Sequence, residues 1–316
     1  MLRLIYILKF VCVIYAIRNG HMFDNSIRRF FDTPFRGDPD CPWTSIVTIS
    51  ASNDFATQMW EYCTVYAVGR YTGLDPFVPP LIHKKLSLIF QGLSVKSFAR
   101  IARKCKFNRK KFVFDYASWT NMDKSLLISK GNIELNLVLK YLKFLLDQFK
   151  LTEIFKKPSS SIIKKALKQY ESNKLIGIYI NKIDFEYENP LLAKTVDFYE
   201  KGLQYFRNEY RNVTFIALCG INAICLDIFK EQNDVYIYKY NNIERLTIAI
   251  LSLCNHVIFK TGGIGLWGGL LSGGEIIYSF CETLQINKPG NYTIIQRLIG
   301  TKKNCDEYDY SIENVA

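Results

Sequence analysis

The residues best suited to chemistry lie between 254 and 278, in CNHVIFKTGGIGLWGGLLSGGEIIY. There an apolar run, Val257–Phe259, meets Thr261-Gly262-Gly263-Ile264-Gly265 and then a helical run, Ile264–Leu271. A strand, a glycine-rich turn and a helix N-terminus together offer backbone N–H groups to an anion, and glycines let a pyrophosphate approach the chain closely. The same pattern also serves a second purpose, the tight packing of a helix on a strand. His256 opens this segment, either as a proton carrier or as a buried structural side chain. Asp184 follows the apolar run Leu175–Ile180 by a few residues, where open α/β sheets bind ligands; its alternative is a helix cap or a solvated loop carboxylate. Glu61 and Gln58 lie on a helical stretch beside a polar loop, and Glu61 is a second candidate for general base catalysis, or else an exposed helix carboxylate.

The elements that position these groups alternate. In the second half, strands are expected at Leu175–Ile180, Val213–Cys219, Val235–Tyr238 and Val257–Phe259. Helices are expected between them at Leu192–Tyr210, Ala223–Gln232, Ile243–Cys254 and Ile264–Leu271. Pieces of this length in this order form a doubly wound parallel sheet. In the first half, Ser45–Ser50 reads as a strand, Gln58–Arg70 as a helix and Glu134–Phe149 as an amphipathic helix. The expected organisation is a leader at 1–18, a stem at 19–44, an α/β domain at 45–155, a connector at 156–174 and a Rossmann-like domain at 175–316.

The chain has 316 residues, enough for two domains, with 49% apolar and 22% charged residues; this excludes a disordered or fibrous protein. Leu4–Ile17, apolar except for Lys9, spans about 21 Å as a helix, short of a bilayer core. It reads as a signal peptide with its apolar region at Phe10–Ile17, as a short signal-anchor, or as an ordinary buried N-terminal helix; either of the first two places the remainder in the secretory lumen. Nine cysteines show no CxxC and no Cys/His grouping, so no structural zinc site is expected. Eight of them follow the leader, a number compatible with disulfides, although Cys63 and Cys254 lie in apolar surroundings that suit buried thiols. Asn212-Val-Thr and Asn291-Tyr-Thr are glycosylation acceptors in a lumenal chain.

The net charge is +12 and uneven: residues 1–175 carry 28 Lys and Arg against 13 Asp and Glu, and 176–316 carry 13 against 16. Arg100–Lys111 holds seven basic residues in twelve. No nucleic-acid motif accompanies them and the leader keeps them from nucleic acid, so they read as a solvated face near an anionic membrane surface.

The 254–278 segment resembles the C-terminal motif of the galactoside α-1,2-fucosyltransferases, a C-N-H triplet, a small apolar strand, then T-F-G-x-W and T-G-G-D-x-x-Y. Cys254, Asn255, His256, Gly262, Gly265, Trp267, Gly273, Gly274 and Tyr278 match it. Asp197–Cys225 is similar to the helix and strand that precede the motif. Gln58-Met59-x-Glu61-Tyr62 with Tyr66-Ala67 is similar to the family's Q-M-x-E-Y-A-x-x-Y-A helix, so the resemblance covers about 44–285. It implies a GT-B-like fold, two Rossmann-like domains facing a cleft, and a lumenal, single-pass type II Golgi membrane protein, or a secreted one. It also implies transfer of L-fucose from GDP-fucose to a terminal galactose 2-hydroxyl, with inversion and with neither metal nor cofactor. The implied partners are the nucleotide sugar, a galactose-terminated glycan and, through the N-terminal segment, a membrane. The implied donor-binding residues are Lys182, Asn181, Gly262, Gly263, Gly265 and His256. Gln58 and Glu61 fall on the acceptor side, and Asp184 or Glu61 serves as base.

The sequence departs from the family pattern at polar positions. The loop G-R-L-G-N is here Asn53-Asp54-Phe55-Ala56-Thr57, and H-x-R-R-x-D is Tyr179-Ile180-Asn181-Lys182-Ile183-Asp184. The threonine of T-F-G is Gly263, and the aspartate seven residues before the triplet's cysteine is Thr247. Lys182 and Lys260 are the nearest basic groups, and a lysine cannot reproduce an arginine's two-pronged contact with a phosphate. A member diverged in this way is also compatible with a lumenal glycan- or glycoprotein-binding protein.

Overall fold

The computed structural model describes residues 41–42, 45–102, 105, 125–181, 184, 189–219, 226, 228–238, 244–280 and 283–300. The leader, the stem except for 41–42, most of the basic stretch, Lys182 and residues 223–225 and 227 of the expected helix Ala223–Gln232 lie outside them. The chain folds as two compact units, Met1–Gln148 and Phe149–Ala316.

In the first unit, β1 (Ile46–Ile49) is a fully buried β-branched run. Helix α1 (Phe55–Thr72) follows and is buried almost all round. It starts three residues before the expected Gln58. The reason is Asp54, whose carboxylate accepts hydrogen bonds from the Thr57 N–H at 2.6 Å and the Thr57 hydroxyl at 2.8 Å, making an N-cap. Gly73, at φ 75°, ends the helix. Then come β2 (Asp75–Val78), α2 (Pro80–Ile89), β3 (Lys96–Ser97), β4 (Leu126–Ile128) and α3 (Leu135–Leu146). Val138, Leu142 and Leu145 give α3 one buried stripe, and it packs on α1. The four strands are parallel in the order β3-β2-β1-β4. A disulfide joins Cys41 to Cys105 beside the cluster of Ile46, Phe77, Phe98, Ile101 and Leu127.

The second unit opens with α4 (Glu153–Gln169), which occupies most of the stretch expected as a connector and packs against this unit's own elements. The remaining elements are β5 (Lys174–Ile180), α5 (Asn189–Glu209), β6 (Val213–Cys219), β7 (Val235–Tyr238), α6 (Glu244–Leu251), β8 (His256–Phe259), α7 (Gly263–Ser272), β9 (Ile276–Phe280), β10 (Thr283–Asn287) and α8 (Thr293–Gly300). Their strand order is β10-β9-β8-β5-β6-β7, parallel except for the antiparallel β9–β10 hairpin. β5 and β6 are buried along nearly their whole length, as continuous apolar runs in a sheet covered on both faces must be. Ile176, Ile178, Phe198, Tyr199, Phe206, Phe215 and Ile258 build the core. Among the described residues no helix is long and apolar enough to cross a membrane.

Both sheets reverse their direction of growth at a central strand, β1 beside β4 and β5 beside β8. Such reversals open a crevice at the carboxyl ends of the two strands, where α/β sheets take their ligands.

Candidate active site

The carboxyl ends of β5 and β8 bring Asn181, Asp184 and the Gly262–Gly265 turn together. Beyond β5 the chain turns tightly. The Asn181 N–H donates to Asp184 Oδ2 at 3.1 Å, and the Asp184 N–H donates to the Asn181 carbonyl at 3.2 Å. Asp184 is only 6% exposed. Its Oδ1 accepts from the Thr261 hydroxyl, and the Tyr199 hydroxyl lies 3.0 Å from Oδ2 and 3.0 Å from the Tyr179 carbonyl oxygen. Burial pushes the Asp184 carboxyl up to about 6, against the opposing pull of Thr261, Tyr199 and the positive charge of Lys260. Lys260 donates from Nζ to Thr195 Oγ1 at 2.7 Å, reaching from the end of β8 to α5.

Gly262 sits at φ 94°, which L side chains rarely adopt. A Cβ there would also lie 2.7 Å from Asn181 Nδ2. One at Gly265 would meet the Phe259 Cβ at 2.6 Å, so this glycine lets α7 lie directly on β8. The turn thus packs α7 closely on β8 and leaves the N-terminus of α7 at the carboxyl end of that strand. Trp267 is fully buried, its ring edge-on to Phe149 at 5.4 Å.

His256 belongs to the same segment but to the opposite end of β8. Its Nδ1 accepts the Glu275 N–H at 2.9 Å, and its ring lies against Tyr210 and Phe206 at 4.8 and 5.1 Å. Burial, with the charge of Lys174, pushes it down to about 4, so it is neutral at physiological pH. The structure does not bring it to the Gly262 turn.

In the first unit, Glu61 and Gln58 lie under the carboxyl ends of β1 and β4, and both are fully buried. The Glu61 carboxylate accepts from the Ser52 N–H at 3.0 Å, from the Ser52 hydroxyl and from the Gly131 N–H at 3.2 Å. It therefore ties the loop after β1 to the loop after β4. Burial raises its carboxyl above the usual range while these donors oppose the shift. Gln58 Nε2 donates to the Ser52 carbonyl, and its Oε1 is buried with no partner among the described residues.

The two glycosylation triplets differ. Asn212 is exposed at φ 58° and donates to the Glu171 carbonyl at 3.0 Å, while its Thr214 is fully buried in β6. Asn291 is exposed in the turn before α8, with Thr293 exposed beside it. Of the groups at the β5/β8 crevice, Tyr199 and Thr195 gave no signal in the sequence, because α5 delivers them from 11 to 15 residues beyond Asp184.

A GT-B-like α/β fold with ligand crevices at the sheet reversals is the architecture of nucleotide-sugar-dependent transferases. Residues 39–288 match glycosyl transferase family 11, and the chain belongs to that family. It is 25% identical over 252 residues to galactoside alpha-(1,2)-fucosyltransferase 2 of Sus scrofa, covering 75% of this chain and 73% of that one. The Bos taurus protein of the same name is 24% identical over 269 residues, covering 80% and 76%. Among solved structures it is similar to the NodZ alpha-1,6-fucosyltransferase co-crystallized with GDP, with TM-score 0.58 and 11% identity over 78% of this chain and 99% of that one.

Proposed function

We propose that the chain transfers L-fucose from GDP-fucose to the 2-hydroxyl of a terminal galactose, with inversion and without a bound metal. The observation that carries this is the convergence of Asn181, Asp184 and the Gly262–Gly265 turn at the sheet reversal of the second unit. In this reading the nucleotide's phosphates lie at the Gly262 turn and α7, Lys182 is a further donor-binding residue, and fixed amides and ammonium groups stabilise departing GDP. In the same reading Gln58 and Glu61, both in the first unit, are the acceptor-side residues. Both candidate bases are engaged as hydrogen-bond acceptors, which makes Asp184 and Glu61 the groups that hold their strand-end loops in place. The Cys41–Cys105 disulfide favours an oxidising, lumenal compartment, with the N-terminal segment as membrane anchor or cleaved leader, and a Golgi location suits the reaction.

The test is incubation of the full chain with GDP-fucose and a galactose-terminated glycan. The expected product is a deoxyhexose α-linked to the galactose O2, read by mass spectrometry and NMR; fucose on another hydroxyl would overturn the assigned linkage. A second reading has its own support. Asn181, a neutral side chain, stands against Gly262 where the family pattern has an arginine. If GDP binds and no product forms, the chain is a glycan- or glycoprotein-binding descendant, and glycan-array binding without turnover would establish it.

A further inference from the structure

We infer that Lys260 supplies a fixed positive charge that holds the diphosphate of the nucleotide in this protein, in addition to any charge from Lys182. The inference rests on the donor-site reading above and deepens it. At the end of β5 stands neutral Asn181, whose amide lies against Gly262. Lys260, at the end of the neighbouring strand β8, directly precedes Thr261 and Gly262. Its ammonium is anchored at 2.7 Å on Thr195 Oγ1 of α5. The side chain is therefore held against the buried Thr195 of α5 at the end of β8 instead of extending into solvent, and it is only partly exposed.

Its charge is felt at the same place, since it pulls on the buried Asp184 carboxyl. That carboxylate accepts from Thr261, Tyr199 and the Asn181 N–H, three donors that fasten the two strand ends to each other. The result is an anchored cation beside strand ends that hydrogen bonds fasten together, two residues before the Gly262 turn. A fixed ammonium loses little conformational entropy on meeting an anion, and charge-assisted bonds to phosphate are about twice as strong as neutral ones.

The experiment is calorimetric titration of the full chain and its Lys260→Met and Lys260→Arg variants with GDP, inorganic pyrophosphate and guanosine. Lys260→Met should weaken GDP and pyrophosphate about ten- to a hundredfold and leave guanosine unchanged. Lys260→Arg, which keeps the charge, should stay within a few-fold of wild type. Thr195→Val serves as a second variant, since it removes the anchor and leaves the charge; a modest loss of GDP affinity is expected there. Equal GDP affinity in wild type and Lys260→Met would overturn the inference and leave the donor-site reading standing. A parallel loss of GDP and guanosine would overturn it too, because Lys260 would then shape the pocket and not meet the phosphates. Failure of wild type to bind GDP or pyrophosphate would overturn both.

Discussion

Burial and hydrogen bonding pull in opposite directions at the two carboxyl groups of interest. Glu61 has no exposed surface and three donor groups converge on it from Ser52 and Gly131. Glu61→Gln keeps the shape but turns an NH2 toward at least one of those donors, leaving buried N–H groups unsatisfied. Stability should fall by about 1–3 kcal/mol in urea unfolding, and an unchanged midpoint would show that the loops do not depend on the carboxylate. Asp184 and His256 make a separate, pH-dependent case. His256 is held at about 4 when folded and returns to 6.5 when unfolded, so between those values the unfolded chain binds more protons and stability rises with pH. Asp184 is held at about 6 when folded and returns to 3.8, so over nearly the same window its contribution falls with rising pH. The two offset each other in the wild type. Asp184→Asn leaves His256 unopposed, and this variant's stability should climb between pH 4 and 6.5 by on the order of 1–3 kcal/mol more than the wild type's. A parallel pair of profiles would contradict the assignment.

At the scale of elements, Gly265, Gly268, Gly269 and Gly274 act through contact distances. A Cβ at Gly274 would fall 1.7 Å from the Asn255 carbonyl oxygen, a backbone atom that cannot move aside cheaply. Gly274→Ala should cost about 3 kcal/mol by thermal or chemical unfolding. Gly290, at φ 78° with open space around it, should cost only about 1 kcal/mol on the same change. Similar losses at the two positions would remove the packing argument. Strands β5 to β8 were legible in the sequence because each is a run rich in β-branched or aromatic residues, buried along β5, β6 and β8 and half-buried along most of β7, and the helices between them carry an apolar period. Strands β2, β3 and β4 were not, since Asp75-Pro76-Phe77-Val78 contains a proline and the other two have only two or three residues. The hairpin β9–β10 was not legible, because β10, Thr283–Asn287, is a mixed polar and apolar run, exposed or half-buried along most of its length, beside a pattern of parallel strands. In the site, the Gly262 turn, Asn181 and Asp184 were legible because they are short-range features of strand ends. His256 was misleading in the other direction: sequence adjacency puts it near the turn, whereas the four-residue strand β8 carries the two to opposite ends.

Across the whole molecule, the charge imbalance and the site separate. The positive excess belongs to residues 1–175, while the crevice proposed for a doubly charged nucleotide lies in the half with 13 basic and 16 acidic residues. Local placement therefore has to do what net charge does not: an anchored lysine and a helix N-terminus at the carboxyl end of β8. The first unit has its own staple in Cys41–Cys105, which closes 64 residues of chain. Replacing both cysteines by serine should lower that unit's stability by about 2–4 kcal/mol, measurable in urea, with no loss of GDP affinity. A loss of nucleotide binding in that variant would place part of the donor site in the first unit. The account turns on the β5/β8 crevice taking the nucleotide sugar. Calorimetric titration of the full chain with GDP-fucose tests it most directly: saturable heat with one site per chain is predicted, and no heat with ligand at millimolar concentration would contradict it.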